Sequence, residues 1–299
     1  MIGEELKNFR SGYVSIIGRP NVGKSTLLNS ILGEKVAIVT TKPQTTRNRI
    51  IGIKTLPGAQ IIFIDTPGIH KPRHKLGEAM VKTALEALNE VDIILFMVEP
   101  RSPEKEDLSV IEMLKKVRSP VFLLINKIDT IKKTDLLPLI DHFKNLYSFN
   151  EIIPFSALTQ DGMSLLMKRI FDYMPSGPKY YPDEFITDQL ERFMVSEIIR
   201  EKVMEMTEEE VPYSVAVEIA EWKEREDGLV VISGNIYVER EGQKGIIIGK
   251  RGAMLKSIGS AARIDIERLL NTKVFLELWV KVKKDWRNNK TTMRELGYQ

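Results

Sequence analysis

The stretch YVSIIGRPNVGKSTLLNSILG, Tyr13 to Gly33, joins a short β-branched run to a glycine-bounded loop and then to a helical pattern. Inside it GRPNVGKS, Gly18–Ser25, fits the spacing G-x-x-x-x-G-K-[ST] without a mismatch. A strand, this loop and a helix in that order form a phosphate cradle. The glycines let backbone N–H groups wrap the phosphates, and the helix N-terminus adds the positive end of its dipole. Lys24 is expected to reach the β- and γ-phosphates. The Ser25 hydroxyl is expected to bind Mg²⁺. The whole loop with the residue after it (Gly18, Arg19, Pro20, Asn21, Val22, Gly23, Lys24, Ser25 and Thr26) is the candidate binding segment.

Outward from this loop, short apolar runs recur: QIIFI at 60–64, DIILFMV at 92–98, VFLLI at 121–125 and EIIPF at 151–155. Between them, 75–90, 104–117 and 161–173 show the i, i+3, i+4 spacing of amphipathic helices. Continuous apolar strands alternating with helices imply an α/β fold, a mostly parallel sheet with helices on both faces.

Three further stretches fall at the C-terminal ends of those strands, where open α/β sheets bind ligands. They are DTPG (Asp65, Thr66, Pro67, Gly68), NKID from Asn126 and Lys127 to Asp129, and SAL (Ser156, Ala157, Leu158). Asp65 can hold Mg²⁺ through water, and the Gly68 N–H can face a γ-phosphate. Guanine presents N1–H and an amine side by side, a pair that one carboxylate, Asp129, can accept. Adenine lacks that pair and would leave the carboxylate unpaired, so Asn126 and Asp129 argue against an ATPase. The Ala157 N–H is the expected donor to guanine O6.

MPSGPKYYPDE, 174–184, carries three prolines and a glycine and reads as a boundary. The expected division is a nucleotide-binding domain over 1–175, a linker over 176–184 and a second domain over 185–299. The second part reads α-β-β-α-α-β, an α+β unit with three strands. Charge is uneven there: residues 183–241 hold 6 basic and 17 acidic side chains, net −11, whereas 242–299 hold 13 and 5, net +8, within a chain of +3 overall. A basic segment beside an acidic one fits a surface that meets a polyanion on one face.

A second glycine-lysine loop, GIIIGKRG at Gly245–Gly252, is not a second phosphate cradle. Its first gap is one residue short, no Ser or Thr follows the lysine, and no buried strand precedes it. Gly249-Lys250-Arg251-Gly252 between two helical stretches instead resembles the GXXG turn of a KH domain, which clamps the backbone of unpaired nucleotides. Lys250 and Arg251 would neutralise phosphates, with Ile247 and Ile248 as an apolar floor. Lys283 and Lys284 in the tail would extend the basic footprint, and Trp286 beside them could cap the sheet.

The set GRPNVGKS, DTPG, NKID and SAL resembles the motifs of translation-associated GTPases. Joined to a KH half of the type II order, it resembles the Era family, in the TrmE-Era-EngA-like group, over essentially the whole chain. The resemblance implies GTP hydrolysis, with GTP/GDP and Mg²⁺ as ligands. It also implies binding to the 3′ end of 16S rRNA in assembly of the 30S subunit and rRNA processing.

QTTRNRI, Gln44–Ile50, falls where such proteins keep a mobile switch, and Thr46, with Thr45 as the alternative, is the expected Mg²⁺ ligand. Ile69 stands where many GTPases place a water-orienting glutamine, so unaided turnover should be slow. In similar proteins an asparagine at the position of Asn21 helps hold K⁺. Lys24, Asn21, Thr46 and Gly68 are thus the expected catalytic set, and Ser25, Thr46 and Asp65 the metal set.

No cysteine is present, which rules out disulfides and thiolate metal sites. The start, MIGEELKNFRSG, has no apolar leader, and no apolar run is long enough to span a bilayer. The expectation is a cytoplasmic monomer, with peripheral association at the inner face of the cell membrane as an addition drawn from the resemblance. The alternative function is a GTP-dependent switch that works through a protein or membrane partner, its KH-like half serving as a docking surface.

Overall fold

A computed structural model of the chain describes residues 9–89 and 91–298. Residues 1–8, part of the stretch read for a leader, lie outside it, as does Glu90 at the end of the expected helix 75–90. The chain forms two compact units. The first takes residues through Ala37, Thr46–Lys71 and Met80–Asp188, and the second Ile38–Thr45, Pro72–Ala79 and Gln189–Gln299.

The first unit is built on a six-stranded sheet in the order β2-β3-β1-β4-β5-β6. Its strands are β1 (Arg10–Gly18), β2 (Ile50–Leu56), β3 (Ala59–Asp65), β4 (Ile93–Val98), β5 (Val121–Ile125) and β6 (Glu151–Pro154). All neighbouring pairs are parallel except β2 with β3. Every residue of β3, β4 and β5 is buried, as strands covered on both faces require. On one face Ile17, Ile94 and Phe96 pack with Ala84 and Leu88 of α2 (Lys75–Glu86) and the turn after it, and with Val110, Ile111 and Leu114 of α3 (Lys105–Leu114). Gly52 of β2 lies against Leu28 and Leu32 of α1 (Lys24–Leu32), which covers the other face.

Two elements of this unit escape the sequence reading: β2 and the helix α4 (Leu136–Lys144). The helix α5 (Met163–Tyr173) lies within the expected helical stretch 161–173.

The expected linker 176–184 is a strap on the first sheet. Buried Gln60 accepts hydrogen bonds from the N–H groups of Tyr180 and Tyr181, both at 2.9 Å, and donates to the Tyr181 carbonyl at 2.8 Å. Ser11 Oγ donates to the Pro178 carbonyl at 2.6 Å, and the Ile53 N–H donates to the Ile186 carbonyl at 2.8 Å. The prolines do prevent regular structure, but their extended backbone still finds partners along the sheet. The first unit accordingly runs to Asp188 rather than 175.

In the second unit, β7 (Ala216–Glu224), β8 (Val230–Val238) and β9 (Val274–Val282) form a three-stranded sheet, β7 antiparallel and β9 parallel to β8. The helices are α6 (Glu191–Met206), α7 (Val211–Ser214), α8 (Glu241–Ile248), α9 (Ala253–Leu270) and α10 (Lys290–Glu295). Ile258, Ala262 and Ile266, four residues apart on one face of α9, meet Val195, Ile199 and Val203 of α6 and Ile232 and Ile236 of β8 in one core. The expected α-β-β-α-α-β order is present, with α7 and α10 added. Trp286 is fully buried, donates to the Ser214 carbonyl at 2.8 Å and stacks on Tyr298, so it is a core residue.

Candidate nucleotide and RNA sites

The glycine-rich loop leads from β1 into α1, whose first residue is Lys24. The Lys24 ammonium is buried and donates to the carbonyls of Gly18 and Arg19 at 3.2 and 2.8 Å. Burial lowers its pKa to about 8, against the attraction of Asp65.

Three hard oxygen donors converge beside it. Ser25 Oγ donates to Asp65 Oδ2 at 2.6 Å, and the Ser25 and Thr46 hydroxyls lie 2.9 Å apart. Burial pushes the Asp65 carboxyl up to about 6, although Lys24 and the two hydroxyls pull it down. Its Oδ1 is buried and accepts no hydrogen bond of normal geometry. One carboxylate and two hydroxyls with an orphaned oxygen fit Mg²⁺, which binds one or two carboxylates beside phosphate oxygens and water. Of the two candidate threonines, Thr46 joins this cluster, while Thr45 Oγ1 lies 2.7 Å from both Thr40 Oγ1 and the Lys42 carbonyl.

Thr66 is buried and donates to the Ile16 carbonyl at 2.8 Å, which ties DTPG to β1. Pro67 is buried, and the Gly68 carbonyl lies 2.8 Å from His70 Nδ1. Ile69 is buried in the core, and its N–H donates to the Gly18 carbonyl at 3.1 Å. No side chain at 69 is therefore available to a water.

At the guanine end, the buried amide of Asn126 donates to the Val22 carbonyl at 2.7 Å and accepts the Ala157 N–H at 2.9 Å. Asn126 therefore ties three loops together and keeps a second amide hydrogen, and the Ala157 N–H expected at guanine O6 bonds the Asn126 oxygen here. Asp129 is exposed in the short turn Ile128–Thr130 that follows β5. Lys127, at φ 63°, donates to the Asn21 carbonyl at 2.9 Å and pairs with Glu99. Ser156 is buried and accepts the Thr159 N–H at 3.1 Å, while Leu158 is exposed. Val22 is buried, and Asn21 is exposed at φ 64°.

In the second unit, α8 ends at Gly249, with φ 70° and ψ 178°, a region open essentially to glycine alone. A Cβ there would lie 2.9 Å from the Met254 nitrogen. Lys250 and Arg251 project from the turn, exposed and without an ion pair among the described residues.

Beside the turn a groove of about 410 Å³ runs between α9 and β9. Gly252, Leu255, Lys256, Gly259 and Arg263 line one wall, and Phe275, Leu276 and Leu278 the other. Small, apolar and basic residues repeating every three or four positions along α9 carry the signal that the sequence reading missed. One expectation fails here. Ile247 is fully buried in the core and cannot form a floor for bases, because the inner face of α8 is spent on packing. The Lys283 ammonium pairs with Glu295 at 2.7 Å over the Tyr237 ring, whereas Lys284 is exposed. Ile248 is half-buried.

Residues 13–127 match the family of 50S ribosome-binding GTPases, and residues 210–287 the KH domain family. GTPase Era of Geobacter metallireducens is 58% identical over 97% of this chain and 98% of its own length. GTPase Era of Ruminiclostridium cellulolyticum is 55% identical over 98% of each chain. A solved structure of Era in complex with MgGDPNP and nucleotides 1506–1542 of 16S ribosomal RNA superposes with a TM-score of 0.95, at 45% identity over 97% of this chain and 99% of that one. Aquifex aeolicus Era with GDP and tetrafluoroaluminate gives 0.94 at the same identity and coverage. With a phosphate loop and a KH half in one chain, and relatives of more than half its residues in common over nearly their full length, this protein belongs to the Era family of GTPases.

Proposed function

We propose that this GTPase uses its second unit to grip single-stranded 16S rRNA near the 3′ end, and so assists assembly of the 30S subunit and rRNA processing. The observation that carries the reading is the groove between α9 and β9, with an unpaired Lys250-Arg251 turn at its end. A solved relative of nearly equal length is described in complex with that RNA segment. Leu255 and Leu278 offer apolar surface to bases, Gly259 leaves room for them, and Lys256 and Arg263 offer cations to the backbone.

At the nucleotide site, loop N–H groups and Lys24 hold the phosphates, and Asp129 accepts the guanine N1–H and amine. Ser25, Thr46 and Asp65 would hold Mg²⁺, which neutralises charge that builds on the transferring phosphoryl group. Asn21, exposed at the rim of the loop, would contribute to a K⁺ site. Because Ile69 is buried, intrinsic turnover is slow. The working compartment is the cytoplasm, where this RNA is; no described helix is long and apolar enough to cross a membrane.

Filter binding with a short single-stranded transcript of the 16S rRNA 3′ end tests the RNA reading. Replacing Lys250 and Arg251 with glutamate should abolish retention and leave GTP affinity unchanged. Wild-type retention that never exceeds the salt-sensitive background would instead support a switch that acts through a protein or membrane.

A further inference from the structure

Arg19, the second residue of the phosphate loop, is only 8% exposed. A desolvated guanidinium is costly unless its donors are matched, and here carboxylates from outside the loop match them. Arg19 Nε donates to Asp107 Oδ1 at 2.8 Å, and NH1 donates to Glu104 Oε2 at 2.5 Å. Asp107 sits in the first turn of α3, where its second oxygen accepts the Glu104 N–H at 3.0 Å. Glu104 also pairs with Arg101 at 3.0 Å, and Arg101 pairs with Glu99 at 2.7 Å. Glu99 in turn pairs with Lys127, whose ammonium reaches the Asn21 carbonyl at 2.9 Å. A belt of alternating charge therefore leaves the phosphate loop at residue 19, follows the β4–α3 connection and returns to the loop at residue 21 through the guanine-reading NKID segment.

The two anchored residues stand on either side of Pro20 in the loop. The Arg19 carbonyl is an acceptor for Lys24, and Asn21 holds a left-handed backbone at φ 64° that costs a non-glycine residue about 1 kcal/mol. Lys127 is itself left-handed and stands two residues before Asp129. We infer that Asp107 and Glu99 are positioning residues for the nucleotide. Asp107 fixes the phosphate loop through Arg19, and Glu99 fixes that loop and the guanine loop together through Lys127. Grip on the phosphates and choice of base thus share one carboxylate. The base half of this inference rests on the guanine reading by Asp129.

The test uses the full chain and calorimetric affinities for GDP and for IDP, which lacks guanine's exocyclic amine. D107N should weaken GDP binding about tenfold, the scale of one charge-assisted hydrogen bond, and leave the GDP:IDP ratio unchanged. E99Q should weaken GDP binding by a similar factor and also shrink that ratio several-fold. E104Q, whose carboxylate faces Arg19 at a more exposed position, takes the place of D107N should that variant not fold. A purely architectural belt predicts a lower melting temperature with GDP affinity within about twofold of wild type in the folded variants, and that result overturns the inference. A wild type that does not prefer GDP to IDP overturns the guanine reading, and only the phosphate half would then be judged, from D107N.

Discussion

Asp65 and Lys24 pull each other's protons in opposite directions, and burial wins in both. The folded Asp65 carboxyl titrates near 6 instead of its ordinary 3.8, so between those values the folded chain binds a proton that the unfolded chain releases. Its contribution to stability is complete below about pH 4 and is lost as pH rises through 6. The interval between 3.8 and about 6 corresponds to about 3 kcal/mol. Lys24 behaves the opposite way: held near 8, it disfavours its charged form, and its cost grows as pH falls from 10.5 through 8. Chelator-treated, nucleotide-free protein therefore carries two poorly compensated charges at neutral pH. D65N should become more stable relative to wild type as pH rises from 4 to 6, by about 2–3 kcal/mol in urea denaturation. A stability difference that does not vary across that window would show that Asp65 is not desolvated in solution.

At the scale of elements, the turn between α8 and α9 offers a comparison internal to itself. Gly249 combines φ 70° with ψ 178° and presses on Met254, whereas Gly252 at φ 80° faces open space. Alanine at 252 should cost only the left-handed penalty, about 1 kcal/mol. Alanine at 249 should cost about 2–3 kcal/mol and displace the start of α9. RNA retention should fall further for G249A than for G252A, measured on the same transcript; the reverse order would mean that the turn is not held as described.

The loops that close this turn and the phosphate site were legible because Gly, Lys, Ser and Asp at fixed spacing leave few alternatives. Other elements were less so. Ile50–Leu56 follows a polar switch stretch and contains a glycine, so its antiparallel pairing with β3 did not stand out. The stretch 176–184 reads as a linker because prolines exclude regular structure, yet its partner, Gln60, lies more than a hundred residues away. Ile247 shows the same limit for a single residue. Its chemistry suited a ligand, but only tertiary packing shows that the protein itself has used it.

Across the whole molecule, the chain passes between its two units at five points, and four of them flank the segments Ile38–Thr45 and Pro72–Ala79. These segments precede Thr46 and follow DTPG, the two stretches expected to respond to a γ-phosphate, yet both pack within the second unit. There, buried Arg200 pairs with Glu197 and donates to the Thr45 carbonyl at 2.5 Å, and Glu201 accepts the Val39 N–H at 2.9 Å. Lys202 pairs with Asp265 of α9 at 3.0 Å, on the helix that starts at the Gly249–Gly252 turn. A change at Thr46 is thus one peptide bond from contacts that reach the helix proposed to line the RNA groove. Linkage requires any such coupling to be reciprocal. The 16S 3′-end transcript should bind about 5- to 150-fold differently in the triphosphate-analogue and GDP forms, the usual range for coupled sites. The same factor should appear in the relative affinities for the two nucleotides when RNA is present. R200K, which keeps the charge but not the planar fork, should reduce that factor and leave RNA affinity in the GDP form close to wild type. Calorimetry of both proteins in both nucleotide states decides it: equal RNA affinity in the two wild-type states would leave two independent modules on one chain, and an unchanged factor in R200K would move the coupling to another contact.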